Sequence, residues 1–344
     1  RVGCVLVRDG NVVGEGWHER AGGAHAEVRA IAAAGASAVG ATAFVTLEPC
    51  AHYGRTPPCV NALIEARVAR VVYAAQDPNP RVCGAGAAAL RAAGVVVEGD
   101  VLAEEARALN PGYFKRMTSG LPWVRLKLGA SLDGRTALAN GASRWITGKA
   151  ARQDAQRYRA RSSAVLTGLG TVLADDPALN ARGESIVRQP LRVLLDSELR
   201  VPLGARMFDR EGPALVFTAN TDGERQRALQ QRGVQVEVVP RANGVRAEGT
   251  PGTGLDLEVV LRRLAAREAN EIWVEAGARL AGALLSAQLV DELIVYLAPC
   301  LLGQQALALA NLPLISSLEQ RLRFEFRDSV RVGEDLRLTA RPLR

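Results

Sequence analysis

The sequence contains few lysines and few aromatic residues, and it has no long hydrophobic run. Only three of its 43 basic residues are lysines, and aromatic residues make up 4% of the 344-residue chain. No uncharged apolar stretch reaches the length of about 18 residues that a membrane-spanning helix needs. The apolar fraction of 48% and the charged fraction of 23% are typical of a globular protein and exclude a disordered chain. We therefore expect a soluble protein with no membrane partner.

A concentrated basic region is also missing, although the formal net charge is +7. Residues 1–120 carry 12 basic and 11 acidic side chains, and the rest of the chain carries 31 and 25. The basic residues are thus spread over both parts of the chain, and nearly all of them are arginines. This distribution does not indicate a stripe that binds a phosphate backbone, so we expect no nucleic-acid partner.

Cysteine is scarce as well. Of five cysteines, Cys50 and Cys59 lie in one short motif downstream of a histidine. This usage excludes a secreted disulfide scaffold and indicates a metal site in a reducing compartment, so we expect a cytoplasmic protein. No signal peptide is visible, and the chain opens on the apolar run 2–7, which predicts a strand already under way. We therefore expect the natural N-terminus to lie upstream of Arg1.

The length of the chain predicts two domains, because 344 residues exceed what one hydrophobic core usually supports. The first 100 residues alternate short β-rich runs with Ala-rich helical stretches, which indicates a layered α/β sheet. Ser119, Gly120 and Pro122 indicate a linker, and the same alternation resumes after it. The sequence predicts α/β domains at residues 1–120 and 121–344.

The most informative residues of the first domain form a metal-binding pattern. His25 and Glu27 lie at a predicted helix start, Pro49 and Cys50 follow a strand, and Cys59 begins another helix. One imidazole and two thiolates leave the fourth tetrahedral position of Zn²⁺ open for a water that the metal acidifies. Glu27 can move the protons of that water. The pattern is typical of zinc-dependent deaminases, in which the glutamate is not a ligand.

Two alternatives remain at this point. A structural zinc needs a fourth protein ligand, for which His52 is the candidate, and it leaves Glu27 without a role. A nucleic-acid deaminase shares the four key residues but has two residues between its cysteines, whereas eight separate Cys50 from Cys59 here. Residues 1–120 also have a net charge of only +1, which does not suit a nucleic-acid channel.

At this spacing the first domain resembles the deaminase domain of bifunctional riboflavin-biosynthesis deaminase–reductases. The segments that carry the resemblance are LEPCAHYGRTPPC, residues 47–59, and QDPNP, residues 76–80. The family usually carries an Asn-Pro segment just before the strand that opens this chain. The resemblance implies that His52 faces the substrate.

The second domain resembles the reductase half of the same family. The resemblance extends to about Leu338 and implies a cytidine-deaminase-like α/β/α layered domain followed by a dihydrofolate-reductase-like α/β domain. The matching segments are LKLGASLDGRTA (residues 126–137), SRWITG (143–148), LTGLGTVLADDPALNAR (166–182) and WVEAGARLAGALL (273–285).

The resemblance also implies which reductase residues bind ligands. A strand that passes through a glycine turn into a helix, as in VEAGARLAGA, can aim backbone N–H groups at a cofactor pyrophosphate, although the same pattern occurs in ordinary turns. By the resemblance, NADPH contacts the positions Ala130, Trp145, Thr171, Asp175, Ser197, Gly277, Ala278, Arg279, Leu280, Ala281, Gly282 and Ala283. The phosphoribosyl substrate contacts Ser143, Arg159, Leu179, Arg182 and Glu275.

Some of these residues can be interpreted chemically. Arg159 and Arg182 suit a phosphate monoester as bidentate partners, although Arg159 could instead be a solvated arginine. All histidines lie within the first 52 residues, so the protonatable candidates of the reductase are Lys127, Asp133 and Glu275. We favour Lys127 as the catalytic residue, and the alternative is a buried structural ion pair.

Together these resemblances imply two consecutive reactions. The first domain removes the 2-amino group of 2,5-diamino-6-(5-phosphoribosylamino)pyrimidin-4(3H)-one with a zinc-activated hydroxide. The second reduces the ribosyl group of the resulting uracil, 5-amino-6-(5-phosphoribosylamino)uracil, to ribityl with NADPH. The expected cofactors are therefore Zn²⁺ and NADPH, the expected ligand is a small pyrimidine ribonucleotide, and the expected assembly is a homo-oligomer.

Overall fold

The chain divides into two compact units, Arg1–Ser119 and Gly120–Arg344. The computed structural model describes residues 1–183, 186–242 and 254–343. Gly120 has a φ of 69°, a left-handed conformation that favours glycine, and it follows the last residue of a helix. Within the described ranges, no helix combines the length and the apolar character that a membrane span requires.

The first unit contains one mixed five-stranded sheet in the order β2-β1-β3-β4-β5. Strand β1 pairs antiparallel with β2 and β3, and β3, β4 and β5 are parallel. The strands are β1 (Gly3–Arg8), β2 (Asn11–Trp17), β3 (Thr42–Leu47), β4 (Arg70–Ala75) and β5 (Val96–Glu98), and the helices are α1 (Ala26–Ala34), α2 (Cys59–Glu65), α3 (Ala85–Ala92), α4 (Ala103–Leu109) and α5 (Pro111–Ser119).

Helix α1 lies very close to strand β2, and this contact positions the start of the helix. A Cβ atom on Gly16 would come within 2.3 Å of the Ala26 carbonyl oxygen, and one on Gly14 would come equally close to the Ala30 carbonyl oxygen. The glycines in NVVGEGW therefore permit the approach of the helix backbone. Helices α1 and α2 and the sheet share one core, in which Leu6 and Leu63 are fully buried.

The second unit contains a nine-stranded sheet in the order β11-β10-β9-β8-β12-β6-β13-β16-β15 and a small β14-β7 pair. The strands are β6 (Trp123–Ser131), β7 (Arg135–Ala137), β8 (Ala164–Gly168), β9 (Leu191–Leu195), β10 (Ala214–Thr218), β11 (Gln235–Val238), β12 (Glu271–Glu275), β13 (Glu292–Ala298), β14 (Leu307–Ala308), β15 (Phe324–Val332) and β16 (Asp335–Pro342). The helices are α6 (Lys149–Arg161), α7 (Leu169–Asp175), α8 (Gly223–Gln230), α9 (Leu257–Ala266) and α10 (Ala278–Ser286).

Seven neighbouring strands of this sheet are parallel and are covered on both faces. In sheet order they are β11, β10, β9, β8, β12, β6 and β13. One core joins the sheet to α9 and α10, and the other joins it to α6, α7 and α8. Alternating strand residues enter the two cores, as Val274 and Trp273 of β12 do. Two-sided coverage is the usual state of a parallel sheet, and its ligand sites lie beyond the carboxyl ends of the strands.

The four strands β7, β14, β15 and β16 were not predicted from the sequence. Strand β15 is the outermost strand of the large sheet, and most of its side chains are exposed. Its pairing with β16 shifts register between Phe326 and Asp328, which interrupts the alternation of apolar and polar residues. An exposed edge strand with an irregular pattern gives no clear period-two signal.

Candidate active sites

The three predicted metal ligands of the first unit lie together at the starts of two helices. His25 is the residue before α1, Cys59 is the first residue of α2, and Cys50 lies in the loop after β3. One ligand atom from each lies within 4.8 Å of the others. The Nδ1 atom of His25 is 3.0 Å from Sγ of Cys59 and 3.6 Å from Sγ of Cys50. One imidazole nitrogen and two sulfurs in this arrangement fit Zn²⁺ with a fourth position left for water.

The two thiols interact in a way that suits metal binding. The hydrogen bond from Cys59 lowers the pKa of the Cys50 thiol to about 4, and His25 contributes further. The backbone N–H of Cys59 also donates to Sγ of Cys50 over 3.3 Å. The thiolate is the form of cysteine that binds metal, so a lowered pKa suits Cys50 to be a ligand.

Glu27 lies beside the candidate ligands, and its side chain is buried. Its side chain is 3% exposed, and burial raises the pKa of its carboxyl group above the ordinary value. A carboxyl group whose pKa is raised by burial is suited to general acid–base chemistry. Glu27 thus lies next to the candidate metal-binding residues.

His52 does not join the cluster of possible ligands. Among the described residues, the group close enough to share a metal ion consists of His25, Cys50 and Cys59. The Nδ1 atom of His52 is buried and has no hydrogen-bond partner in the described structure. The fourth protein ligand that a structural zinc would need is therefore not brought into place by His52.

One residue of this centre was missed by the sequence interpretation. Glu48 is 3% exposed, and its carboxylate accepts hydrogen bonds from the backbone N–H groups of Gly84 at 3.0 Å and Ala87 at 3.1 Å. A Cβ atom on Gly86 would lie 1.9 Å from the Pro49 carbonyl oxygen. The start of α3 is thus bound tightly to the segment that leads into Cys50. The position of Glu48 directly before Pro-Cys was the available signal.

The second unit brings three of its predicted residues into one charged cluster. Arg159 of α6 donates from Nε to Oε1 of Glu275 at 2.5 Å and from its terminal NH2 to Oε2 at 2.7 Å. Lys127 of β6 lies opposite Glu275 in the pairing of β6 with β12. Its Nζ atom is 3.5 Å from the place that a Cβ atom on Gly129 would occupy. The cluster thus joins two cations to one carboxylate at the end of β12.

The pKa values of this cluster follow from its burial and charges. Burial lowers the pKa of Lys127 and the charge of Arg159 adds to this, while Glu275 opposes it. Burial alone would raise the pKa of Glu275, but the charge and hydrogen bonds of Arg159, together with Lys127, lower it to about 2. Glu275 is therefore ionised throughout the neutral range, and the proton of Lys127 is easier to release than that of an exposed lysine.

The structure changes the interpretation of the two arginines. Arg159 is 8% exposed and also donates to the Asn180 carbonyl oxygen at 3.0 Å, so the alternative of a solvated arginine is wrong. Its guanidinium group is largely used in holding Glu275. Arg182 is exposed, and burial of part of its side chain and the charge of Arg159 lower its pKa. Arg182 is thus the more available of the two for a phosphate group.

Trp273 is a further residue that the sequence did not indicate. It is fully buried, its Nε1 donates to Oε1 of Glu275 at 2.8 Å, and its ring stacks on Tyr158 with 4.7 Å between centroids. Trp273 and Glu275 point to the same side because they are two residues apart on one strand. The indole therefore orients the carboxylate together with Arg159.

The other predicted reductase residues lie mostly at the carboxyl edge of the parallel strands. Trp145 is 68% exposed and stacks against Arg152, while Leu179 and Ala281 are fully buried. A Cβ atom on Gly282 would lie 1.9 Å from the Asn311 carbonyl oxygen, so this glycine packs on the protein itself. The remaining positions are Ala130 in β6, Ser143 in the loop before α6, Thr171 and Asp175 in α7, Ser197 after β9, Gly277 directly before α10, and Ala278, Arg279, Leu280 and Ala283 within α10.

Comparison with known proteins identifies both units. The family model of the cytidine and deoxycytidylate deaminase zinc-binding region matches residues 1–75, and that of the RibD C-terminal domain matches residues 122–338. The riboflavin biosynthesis protein RibD of Escherichia coli is 48% identical over 97% of this chain and 91% of its own length. The chain belongs to the RibD family of riboflavin-biosynthesis proteins.

Solved RibD-family structures agree with this assignment. Form 1 of Acinetobacter baumannii RibD has a TM-score of 0.90 and 44% identity, and covers 100% of this chain and 92% of its own. A Thermotoga maritima protein described as a diaminohydroxyphosphoribosylaminopyrimidine deaminase/5-amino-6-(5-phosphoribosylamino)uracil reductase has a TM-score of 0.84 and 32% identity, and covers 99% of this chain and 92% of its own.

The predicted fold and general function are therefore confirmed. The RibD-family chain has a cytidine-deaminase-like N-terminal domain and a dihydrofolate-reductase-like C-terminal domain. It is an enzyme of riboflavin biosynthesis with deaminase and reductase activities, and its deaminase domain is of the zinc-binding type.

Proposed function

We propose that residues 1–120 deaminate 2,5-diamino-6-(5-phosphoribosylamino)pyrimidin-4(3H)-one and that residues 121–344 reduce the resulting 5-amino-6-(5-phosphoribosylamino)uracil with NADPH in the cytoplasm. The single observation that carries the proposal is the presence of two different protonatable centres. One unit holds a carboxyl group beside three metal-binding side chains, and the other holds Lys127 beside an ion pair. The description of the Thermotoga maritima protein supports the choice of substrates.

In the deaminase, His25, Cys50 and Cys59 would hold zinc. When bound, Zn²⁺ supplies a Lewis acid that lowers the pKa of a water molecule. Glu27 takes a proton from the attacking water and delivers it to the substrate, and a carbon–oxygen bond forms as the carbon–nitrogen bond breaks. The amino group leaves as ammonia. Glu27 holds the proton between these two transfers. His52 borders the substrate.

In the reductase, Lys127 supplies a proton. When bound, NADPH supplies the hydride that C1′ of the ring-opened ribosyl imine receives. Lys127 gives a proton to the imine nitrogen, so the substrate gains two hydrogens and the carbon–nitrogen double bond becomes single. The lowered pKa of Lys127 favours this donation.

The remaining ligand contacts are also proposals. Arg182 is exposed and binds the substrate phosphate. Arg159 is buried and donates two hydrogen bonds to Glu275, so it mainly orients this carboxylate toward the ribose. Ser143 and Leu179 complete the substrate site. The cofactor site consists of Ala130, Trp145, Thr171, Asp175, Ser197, Gly277, Ala278, Arg279, Leu280, Ala281, Gly282 and Ala283.

A homo-oligomer formed through the second unit is part of the proposal. Strand β15 is one of the two edge strands of the large sheet, and edge strands offer unpaired N–H and C=O groups. Beside it in sequence, Leu314 is 88% and Leu318 74% exposed, and Phe326 of β15 is 69% exposed. A second copy would cover this apolar surface. Light scattering of the purified protein would detect a dimer or larger species, and Phe326→Glu should shift it toward the monomer.

A coupled assay tests the enzymatic proposal. The protein is given the diaminopyrimidine ribonucleotide and NADPH, and ammonia release and absorbance at 340 nm are followed before and after zinc is removed with a chelator. We expect chelation to stop ammonia release while NADPH is still consumed on supplied deaminated substrate. If NADPH is never consumed on that substrate, the function proposed for residues 121–344 is wrong.

A further inference from the structure

The two ring nitrogens of His25 face different partners. Nδ1 faces the sulfur atoms of Cys59 and Cys50, at 3.0 Å and 3.6 Å. Nε2 lies 3.1 Å from Oγ1 of Thr56, on the other side of the ring. The imidazole is therefore held between the metal-binding sulfurs and one hydroxyl group.

This arrangement has a consequence for the position of the imidazole proton. A neutral histidine binds metal through a lone pair, so a metal at Nδ1 requires the proton on Nε2. Thr56 can accept that proton in a hydrogen bond, whereas the opposite tautomer would place a hydrogen on Nδ1 and block the metal. Metal-binding histidines usually donate their other N–H to such a partner, which sets the ring orientation and the tautomer.

The loop between the cysteines is what brings Thr56 to this place. The backbone N–H of Gly54 donates to the Thr56 carbonyl oxygen at 3.2 Å, which closes a tight turn within the loop. Pro57 and Pro58 follow and restrict the backbone until Cys59 starts α2. Thr56 and Cys59 are three residues apart and contact opposite nitrogens of one imidazole. If only two residues separated the cysteines, the position three residues before the second cysteine would be the first cysteine, so no threonine could stand there.

Another neighbour of His25 makes a different contact. The ring of His18 meets that of His25 edge to face with 5.2 Å between centroids, and its own Nδ1 lies 3.3 Å from the Ala24 carbonyl oxygen. His18 therefore packs against the ring without bonding to Nε2. Among the described residues, Thr56 is the hydrogen-bond partner of that nitrogen.

We propose that Thr56 is a positioning residue that fixes the tautomer and ring orientation of His25 for zinc, and that the eight-residue spacer between Cys50 and Cys59 carries it. The inference rests on the metal part of the proposed function, in which His25, Cys50 and Cys59 hold zinc. Thr56 acts through His25 and does not need to touch the substrate.

The test compares Thr56→Val, which keeps the β-branched shape and loses the hydroxyl group, with Thr56→Ser, which keeps the hydroxyl group. Zinc affinity of the full chain is measured by competition with a chromogenic chelator. We expect Thr56→Val to bind zinc about 10- to 100-fold more weakly and Thr56→Ser to bind it like the wild type. Reductase activity should be unchanged in both variants, which reports that the second unit is folded, while zinc binding by Thr56→Ser reports that the first unit tolerates a substitution at this position.

A second readout follows the proton directly. The chain has only three histidines, so ¹⁵N-labelled histidine gives a small set of NMR signals. In the zinc-loaded wild type, the Nε2–H of His25 should exchange slowly with water, and the exchange should be faster in Thr56→Val. Equal zinc affinity and equal exchange in wild type and Thr56→Val would overturn the proposal, as would equal losses in both variants. If the wild type and a Cys59→Ala variant bound the same amount of zinc, the proposed metal site itself would be wrong.

Discussion

The two centres of this enzyme are assembled in opposite ways. The three candidate metal ligands of the deaminase lie within 35 positions of one another and converge through two helix starts and one loop. The charged residues of the reductase lie on three elements, and Arg159 and Glu275 are 116 positions apart. The first centre gathers two thiols and an imidazole that suit a cation, whereas the second pairs its carboxylate with an arginine and lies beside a lysine.

Because the two centres differ in this way, each should respond to a different substitution or treatment. In the proposed mechanism the deaminase uses a metal and the buried carboxyl group of Glu27, so we expect it to be sensitive to chelation and to substitution of Glu27. The proposed reductase site pairs charges across β6, β12 and α6, so we expect it to be sensitive to the charges of that cluster. Variants that affect one centre and spare the other would sharpen the comparison.

The largest expected effect comes from removing the proposed proton carrier of the deaminase. Glu27→Gln keeps the size of the side chain but cannot move a proton, so we expect deamination to fall by about 10⁴-fold. Reductase activity on the deaminated substrate should remain. Ammonia release and NADPH oxidation measure the two activities separately, and Glu19→Gln, an exposed carboxylate paired with Arg29, serves as the control. Loss of both activities in Glu27→Gln would contradict two independent centres.

The reciprocal change in the reductase should have the next largest effect. Lys127→Met removes both the charge and the proton, and we expect kcat of the reductase to fall by about 10²–10⁴-fold with deamination unchanged. Lys127→Arg separates the two roles, because arginine keeps the charge but does not release its proton near neutral pH. A Lys127→Arg variant with near wild-type kcat would show that Lys127 is part of a structural ion pair.

A smaller effect, on stability, is expected where the reductase neutralises its carboxylate. Glu275→Gln leaves the buried guanidinium of Arg159 without its counter-charge, so the free energy of unfolding should fall by about 3–5 kcal/mol. Urea unfolding followed by tryptophan fluorescence measures this, since three of the four tryptophans lie in the second unit. The control is Glu258→Gln in an exposed pair with Arg262, which should change stability by at most about 1 kcal/mol.

The loss of stability in Glu275→Gln should also depend on pH. The pKa of Glu275 is lowered from its ordinary value of 4.5 to about 2, so its contribution to stability is complete above pH 4.5 and is lost as the pH falls toward 2. The difference in unfolding free energy between wild type and Glu275→Gln should therefore be constant above pH 4.5 and shrink below it. A difference that stays constant down to pH 3 would show that the ion pair does not lower this pKa.

Much of the deaminase centre could be predicted because its chemistry is local in sequence. His25 and Glu27 share a helix start, and the residue types of Cys50 and Cys59 already limit the metal that they suit. Glu48 was missed because its partners are backbone N–H groups of Gly84 and Ala87, which no residue type identifies. The roles of individual residues in both centres stay predictions until the variants are measured.

The strands of the large parallel sheet were also predictable, because buried apolar runs such as that of β12 are strong signals. The C-terminal hairpin was not, since β15 is exposed and its register shifts near Phe326. The partner of Arg159 could not be predicted either, because the sequence shows an arginine that suits phosphate and does not show which carboxylate lies beside it.

The amino-acid sequence by itself determined the two-domain organisation, the metal-binding residue types and the family, because these depend on composition, spacing and local motifs. Only the tertiary structure decided that Arg159 holds Glu275, that Trp273 donates to the same carboxylate, and that Thr56 faces the second nitrogen of His25. The physical reason is that hydrogen bonds and ion pairs act over a few ångströms, and the fold alone determines which distant side chains come that close.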